Sequence, residues 1–180
     1  MKKLFLVPLI AVGVVLSGCD TTHKVREPTY QDARNDPFIA VNKDAARRMV
    51  SQLEYKLPPY SRVVIASLVD VHSLEPTNFG RIISEQVSAE FTRNNYHMTE
   101  LKLRDSVGIL DGVGEALLSR NLEHLAERHD AQAVIVGSYA TSQQFVYVNL
   151  KVIHPKSNTV IAVDDYTLPR DQNIRRMLRN

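Results

Sequence analysis

The sequence predicts an α/β domain in which a mixed β-sheet is flanked by helices, with elements in the order α-β-α-β-α-β-β-β. Three observations carry this prediction. Two apolar runs, at residues 62–70 and 133–137, are rich in Val and Ile and almost uninterrupted, as strands covered on both faces are. Three stretches repeat apolar residues at helical spacing. The last third of the chain alternates apolar and polar residues between short polar breaks, as antiparallel hairpins do.

Taken in order, Asn42 or Asp44 can cap a first helix whose Ala46, Met49, Val50, Leu53 and Leu57 form one buried stripe. Pro58-Pro59 stops it, because proline cannot supply the next helical hydrogen bond. Arg62-Val-Val-Ile-Ala-Ser-Leu-Val-Asp70 reads as a central strand. Thr77 can cap a second helix with Phe79, Ile82, Ile83, Val87 and Phe91 on one side, ended by Asn94-Asn95. Residues 96–101 read as a short strand and residues 106–114 as a loop with Gly108, Gly112 and Gly114. A third helix over residues 115–129 groups Leu118, Leu122, Leu125 and Ala126. Asp130 follows where the chain must turn out of that helix, a place that tolerates left-handed backbone when Asp fills it. Three strands close the sheet, at residues 133–141, 145–153 and 159–168. In the middle one Phe145, Tyr147, Asn149 and Lys151 make a wet face and Val146, Val148, Leu150 and Val152 a dry one. The first strand is expected to lie parallel to its neighbour across a helix, and the last three to form an antiparallel meander.

The amino terminus carries a different signal. Lys2 and Lys3 precede an apolar run at residues 4–16, and Leu16-Ser17-Gly18-Cys19 follows the pattern of a bacterial lipobox. Residues 1–18 read as a lipoprotein signal peptide too short for a confident membrane span. Cys19, the single cysteine, is the lipidation site. Several acyl chains, at about 0.8 kcal/mol per buried methylene, give a durable anchor in membrane lipid. Residues 19–41 read as a flexible tether, residues 42–168 as the α/β domain, and residues 169–180 as a basic tail holding Arg170, Arg175, Arg176 and Arg179. Ile174, Met177 and Leu178 have helical spacing, so the tail is either a short amphipathic basic helix for a partner or lipid surface, or a frayed end.

Composition excludes several function classes. Of 22 basic residues, Lys2 and Lys3 leave with the leader, so the mature chain balances its 20 acidic residues and offers no footprint for nucleic acid. Lipidation of Cys19 leaves no thiol for a disulfide, a thiolate metal site or a nucleophile. His124 and His129 are five apart, about 140° around a helix, where zinc helices use i, i+4. The three-glycine loop lacks the Lys-Ser/Thr of a phosphate cradle. Asp70 ends a strand without a catalytic partner and reads as a loop cap. Asp164-Asp165, adjacent on a strand, point to opposite faces. No catalytic, cofactor or metal residue is expected, nor any small-molecule substrate.

Several motifs together resemble a known family. Arg62-Val-Val-Ile-Ala-Ser-Leu-Val-Asp70, then Asn78-Phe-Gly-Arg-Ile-Ile-Ser-Glu-Gln-Val87, then Leu125-Ala126 with Ala131-Gln-Ala-Val-Ile-Val-Gly-Ser138 are similar to the FlgO domain of flagellar lipoproteins. Asp130-Ala131-Gln132 departs from the glycine and acidic residue of the family pattern. The resemblance implies a non-enzymatic, outer-membrane-anchored structural component of the flagellum needed for motility. It also implies basal-body protein partners, self-association into a homo-oligomer, and a domain facing the periplasm. Asp20, directly after the acylated cysteine, is a retention signal for the inner membrane in enteric bacteria, so the two indications conflict; the expectation is the outer membrane. The topology is also similar to the amino-terminal domain of TolB and to LpoB, and the alternative expectation is an LpoB-like lipoprotein that activates a peptidoglycan synthase.

Overall fold

The computed structural model describes residues 26–101 and 115–179. The chain divides into two compact units, Met1–Asn35 and Asp36–Asn180. In the first, Thr29 and Asp32 form a reciprocal cap: the Thr29 backbone N–H donates to the Asp32 carboxylate at 2.7 Å, and the Asp32 N–H donates to the Thr29 hydroxyl at 3.3 Å. This cap starts helix α1 (Tyr30–Asn35), none of whose residues is buried.

The second unit opens with α2 (Pro37–Leu53). Asp36 caps it, accepting from the Phe38 N–H at 2.9 Å, and proline occupies the first helical position, where its missing N–H costs nothing. The expectation of a helix-free tether at residues 19–41 therefore fails at its carboxyl-terminal end, and neither Asn42 nor Asp44 is the cap. Asn42 lies fully buried inside the helix, interrupting the apolar stripe that Phe38 and Val41 begin. The helix also ends at Leu53, before the prolines; Leu57 is buried beyond it.

The predicted strand at residues 62–70 is two strands, β1 (Arg62–Ile65) and β2 (Val69–Asp70). Between them the chain leaves the sheet so that Leu68 can enter the core. The next helix, α3 (Asn78–Arg93), repairs the break: the Ser84 hydroxyl accepts from the Leu68 N–H at 3.1 Å and lies 3.2 Å from the Ala66 carbonyl. Helix α3 begins at Thr77 as expected, with the Thr77 hydroxyl accepting from the Gly80 N–H at 3.1 Å. It ends in a Schellman motif: Tyr96 N–H donates to Phe91 O and Asn95 N–H to Thr92 O, with Asn95 at φ 65°.

β3 (His97–Glu100) follows, then α4 (Glu115–His129), which matches the predicted third helix. The glycine loop of residues 106–114 lies outside the described residues. Helix α4 ends as α3 does, with Asp130 at φ 49° and Ala131 N–H donating to Ala126 O at 2.8 Å. The antiparallel meander is β4 (Ala133–Thr141), β5 (Phe145–His154) and β6 (Thr159–Pro169). A short helix, α5 (Gln172–Met177), closes the described chain. Among the described residues no helix is long and apolar enough to cross a membrane.

The six-stranded sheet runs β3-β1-β4-β5-β6, with β2 beside β4. β1 is parallel to both β3 and β4, and β4, β5 and β6 alternate, so the sheet is mixed. One face carries the main core, where Met49, Leu53, Phe79, Ile83 and Phe91 from the helices meet Ile65, Ile135, Leu150 and Leu168. The other carries a smaller core in which Leu122, Leu125 and Ala126 of α4 meet Val64, Val134 and Ile153. Ile65 and Ile135 are buried in the middle of this arrangement.

Candidate interaction surface

Polar side chains inside the domain are committed to holding it together. Glu90 on α3 is buried and accepts from Arg47 Nε at 2.8 Å and from Arg93 Nη1 at 3.1 Å. Burial opposes its ionisation, but the two guanidinium groups outweigh that and hold its carboxyl below the usual range. Asp164 on β6 takes a two-pronged bond from Arg48 on α2, both contacts at 2.7 Å. Asn42 donates to Gln86 Oε1 at 2.6 Å and accepts from the Tyr166 hydroxyl, so α2, α3 and β6 share one buried polar chain. Burial pushes the Tyr166 phenol above the ordinary tyrosine range. The Tyr139 and Thr77 hydroxyls lie 2.7 Å apart, and the Tyr139 ring meets Phe79 edge-on with centroids 4.9 Å apart.

The chemistry-bearing residues singled out from the sequence are likewise accounted for. The Asp70 carboxylate accepts from the backbone N–H groups of His72 at 2.8 Å and Ser73 at 3.3 Å, which makes it the loop cap its position suggests. Asp164 and Asp165 face opposite sides of the sheet, one buried and one exposed. His124 is exposed on α4 and His129 half-buried. Cys19 and the three glycines at 108, 112 and 114 lie outside the described residues. Among the described residues, Asp70, Asp164, Asp165, His124 and His129 are not brought together at one site.

What stands apart is the uncovered half of the sheet. Helix α4 shields the face around β1 and the start of β4, but among the described residues nothing covers the same face of β5 and β6. Cross-strand registry places Ala140, Tyr147 and Thr167 in one row and Ser138, Asn149 and Asp165 in the next. Lys151 and Val163 follow, and Phe145 lies opposite Pro169. Tyr147 is 50% exposed, Phe145 43% and Val163 42%. An antiparallel sheet can keep one face in water, but such a face is ordinarily polar. Here two aromatic rings and a valine occupy it. Its two charges, Lys151 and Asp165, form no ion pair among the described residues. The alternation at residues 145–151 implies an open face, and its mixture of aromatic and polar side chains is legible in Phe145 and Tyr147 beside Asn149 and Lys151.

The free edge beside this face is partly closed. Val163 of β6 turns its backbone outward, and the Gln52 side chain of α2 satisfies both groups, donating to Val163 O at 2.8 Å and accepting from Val163 N–H at 3.1 Å. Lys56 Nζ donates to Ile161 O at 2.7 Å. A helix side chain thus imitates a neighbouring strand and blocks edge pairing there. The sheet face beside this edge, by contrast, is open among the described residues.

The family described as FlgO protein matches residues 43–173, from inside α2 to the start of α5. The chain belongs to the FlgO family. This FlgO domain is similar in fold to the LpoB carboxyl-terminal domain from Escherichia coli, at 12% identity and a TM-score of 0.50, covering 71% of this chain and 97% of that one. The LpoB carboxyl-terminal domain from Salmonella enterica is 11% identical with a TM-score of 0.47 over 69% and 94% of the two chains. Lipoprotein GNA1162 from Neisseria meningitidis is 12% identical with a TM-score of 0.43 over 63% and 83%. At such identities the likeness is one of fold alone. No curated protein sequence matches this FlgO chain.

Proposed function

We propose that this protein is a lipid-anchored, non-enzymatic structural component of the bacterial flagellum. It is held at the outer membrane through acylated Cys19, faces the periplasm, and docks basal-body proteins and further copies of itself through the open β5–β6 face. The observation that carries this reading is the FlgO match over residues 43–173, which includes the whole of that face. The internal chemistry supports a scaffold. Glu90, Asp164 and Asp70 are each consumed by a structural contact, so the domain spends its carboxylates on rigidity. The exposed aromatic pair Phe145 and Tyr147 supplies large, stiff contact area of the kind that anchors protein interfaces.

The test is genetic. Deletion is expected to abolish swimming while incorporation of labelled cell-wall precursor stays at the wild-type rate. A Tyr147→Asp copy is expected to accumulate normally, since the site is exposed, and still fail to restore swimming. Loss of cell-wall synthesis with swimming intact would replace this reading with the synthase-activator alternative.

A further inference from the structure

We infer that the carboxyl-terminal helix is a lipid-facing surface, in which Arg175, Arg176 and Arg179 bind the phosphate groups of anionic phospholipid headgroups. Three observations converge on this. The first is that the basic end is ordered and its apolar side is already used. Ile174 is buried, and Met177 and Leu178 pack against the main core, so α5 is not an amphipathic helix waiting for an apolar partner. Arg175 and Arg176 project from this packed helix and Arg179 follows its cap at Leu178, which lowers the entropy lost when they bind.

The second is that the charges are uncompensated. Arg47, Arg48, Arg62, Arg81 and Arg93 each pair with a carboxylate. Among the described residues Arg176 and Arg179 have no carboxylate partner, and Arg175 donates only to the Asp171 carbonyl at 3.2 Å. Asp171, the one acid in this stretch, has its carboxylate engaged by the Ile174 N–H at 2.8 Å as the helix cap. Arg170 is excluded from the surface because it serves the β4–β5 hairpin, donating to Ser142 O at 3.1 Å.

The third is position. Contacts of α2, and of Lys56 just beyond it, with β6 run antiparallel: Asn42 with Tyr166, Arg48 with Asp164, Gln52 with Val163, Lys56 with Ile161. The start of α2 and the end of β6 therefore lie at one end of the domain, and α5 follows β6 directly. Phe38, Met177 and Leu178 accordingly pack on the same core. The start of α2 is also the end of the domain that continues in sequence toward Cys19. Arg175, Arg176 and Arg179 thus lie at the end of the domain where α2 starts, and the planar guanidinium fork suits phosphate oxygens. This third observation rests on the Cys19 anchor reading; the experiment below does not.

The purified mature chain carrying Cys19→Ser, and therefore no acyl group, is sedimented with phosphatidylcholine vesicles with and without phosphatidylglycerol. Binding is expected only to the anionic vesicles and is expected to weaken as salt is raised. Replacing Arg175, Arg176 and Arg179 together by Gln should lower the partition coefficient on the order of 100-fold, at about fivefold per arginine near such a surface. The exposed sites should leave the unfolding midpoint unchanged, which separates lost binding from lost fold. Equal binding to both vesicle types, no binding to either, or undiminished binding by the triple variant would each overturn the inference. Palmitate labelling of the wild-type chain in cells tests the anchor separately.

Discussion

At the scale of single residues, Gly80 shows how a weak motif acquires a physical cause. A Cβ built on it would stand 2.0 Å from the Leu68 carbonyl oxygen and 2.8 Å from its carbon. The obstacle is backbone, which cannot rotate away as a side chain can. The side chain of the same residue presses on Gly137, where an added Cβ would meet the Leu68 Cγ at 2.7 Å. One leucine is therefore clamped between two glycines on α3 and β4. Gly80→Ala should destabilise the domain by about 2 kcal/mol or more through overpacking, although alanine is the better helix former. Denaturant unfolding measures this; a loss under about 0.5 kcal/mol would mean that α3 can shift away from Leu68. Two αL positions, at the ends of α3 and α4, run the other way. Asn95 and Asp130 take left-handed backbone without glycine, because short polar side chains tolerate it. The departure of Asp130 from the family pattern therefore preserves the turn.

At the scale of elements, sequence and structure agree where the pattern is local. α4 and β4 have their predicted bounds, and the Thr77 cap starts α3. The errors lie where a distant contact intervenes. Asn42 looked like a cap because polar residues rarely lie mid-stripe, yet Gln86 and Tyr166, 44 and 124 positions away, satisfy it there. The continuous run at residues 62–70 is broken because Ser84 supplies hydrogen bonds at the gap. The bulge that sets Ile161 between Ala162 and Val160, partners of Val152 and Ile153, leaves no mark in the local sequence. The central strands themselves give a firm expectation. Ile65→Ala or Ile135→Ala should each cost about 2–4 kcal/mol, from lost burial and the cavity left behind. A cost under about 1 kcal/mol in denaturant unfolding would show that these strands are not the packed centre of the sheet.

At the scale of the whole molecule, the lipobox cysteine and the folded domain should be separable. Cys19→Ser is expected to abolish palmitate labelling while leaving the unfolding midpoint of the domain where it was. It is also expected to abolish swimming, because the anchor raises the local concentration of the domain at its membrane and a freely diffusing copy loses that advantage. Full swimming by this variant would show that anchoring is dispensable. Fractionation of the native protein on a density gradient tests the membrane itself. Sedimentation with outer-membrane markers is expected, and movement outward only on Asp20→Ser would assign the inner membrane instead.

The sequence by itself determined the three long helices and their alternation with the sheet strands, the antiparallel meander, the cap at Thr77, the left-handed turn at Asp130 and the FlgO resemblance. Each of these is written in residues close together in the chain, where hydrophobic period and backbone preference act directly. Only the tertiary structure decided which side chains satisfy Asn42 and Glu90, why Gly80 must lack a side chain, and where α5 sits. It also decided that, among the described residues, half of one sheet face has nothing laid on it. Those outcomes depend on which surfaces meet across the fold: burial and polar satisfaction are properties of pairs of segments, and a single segment cannot record what will be laid against it.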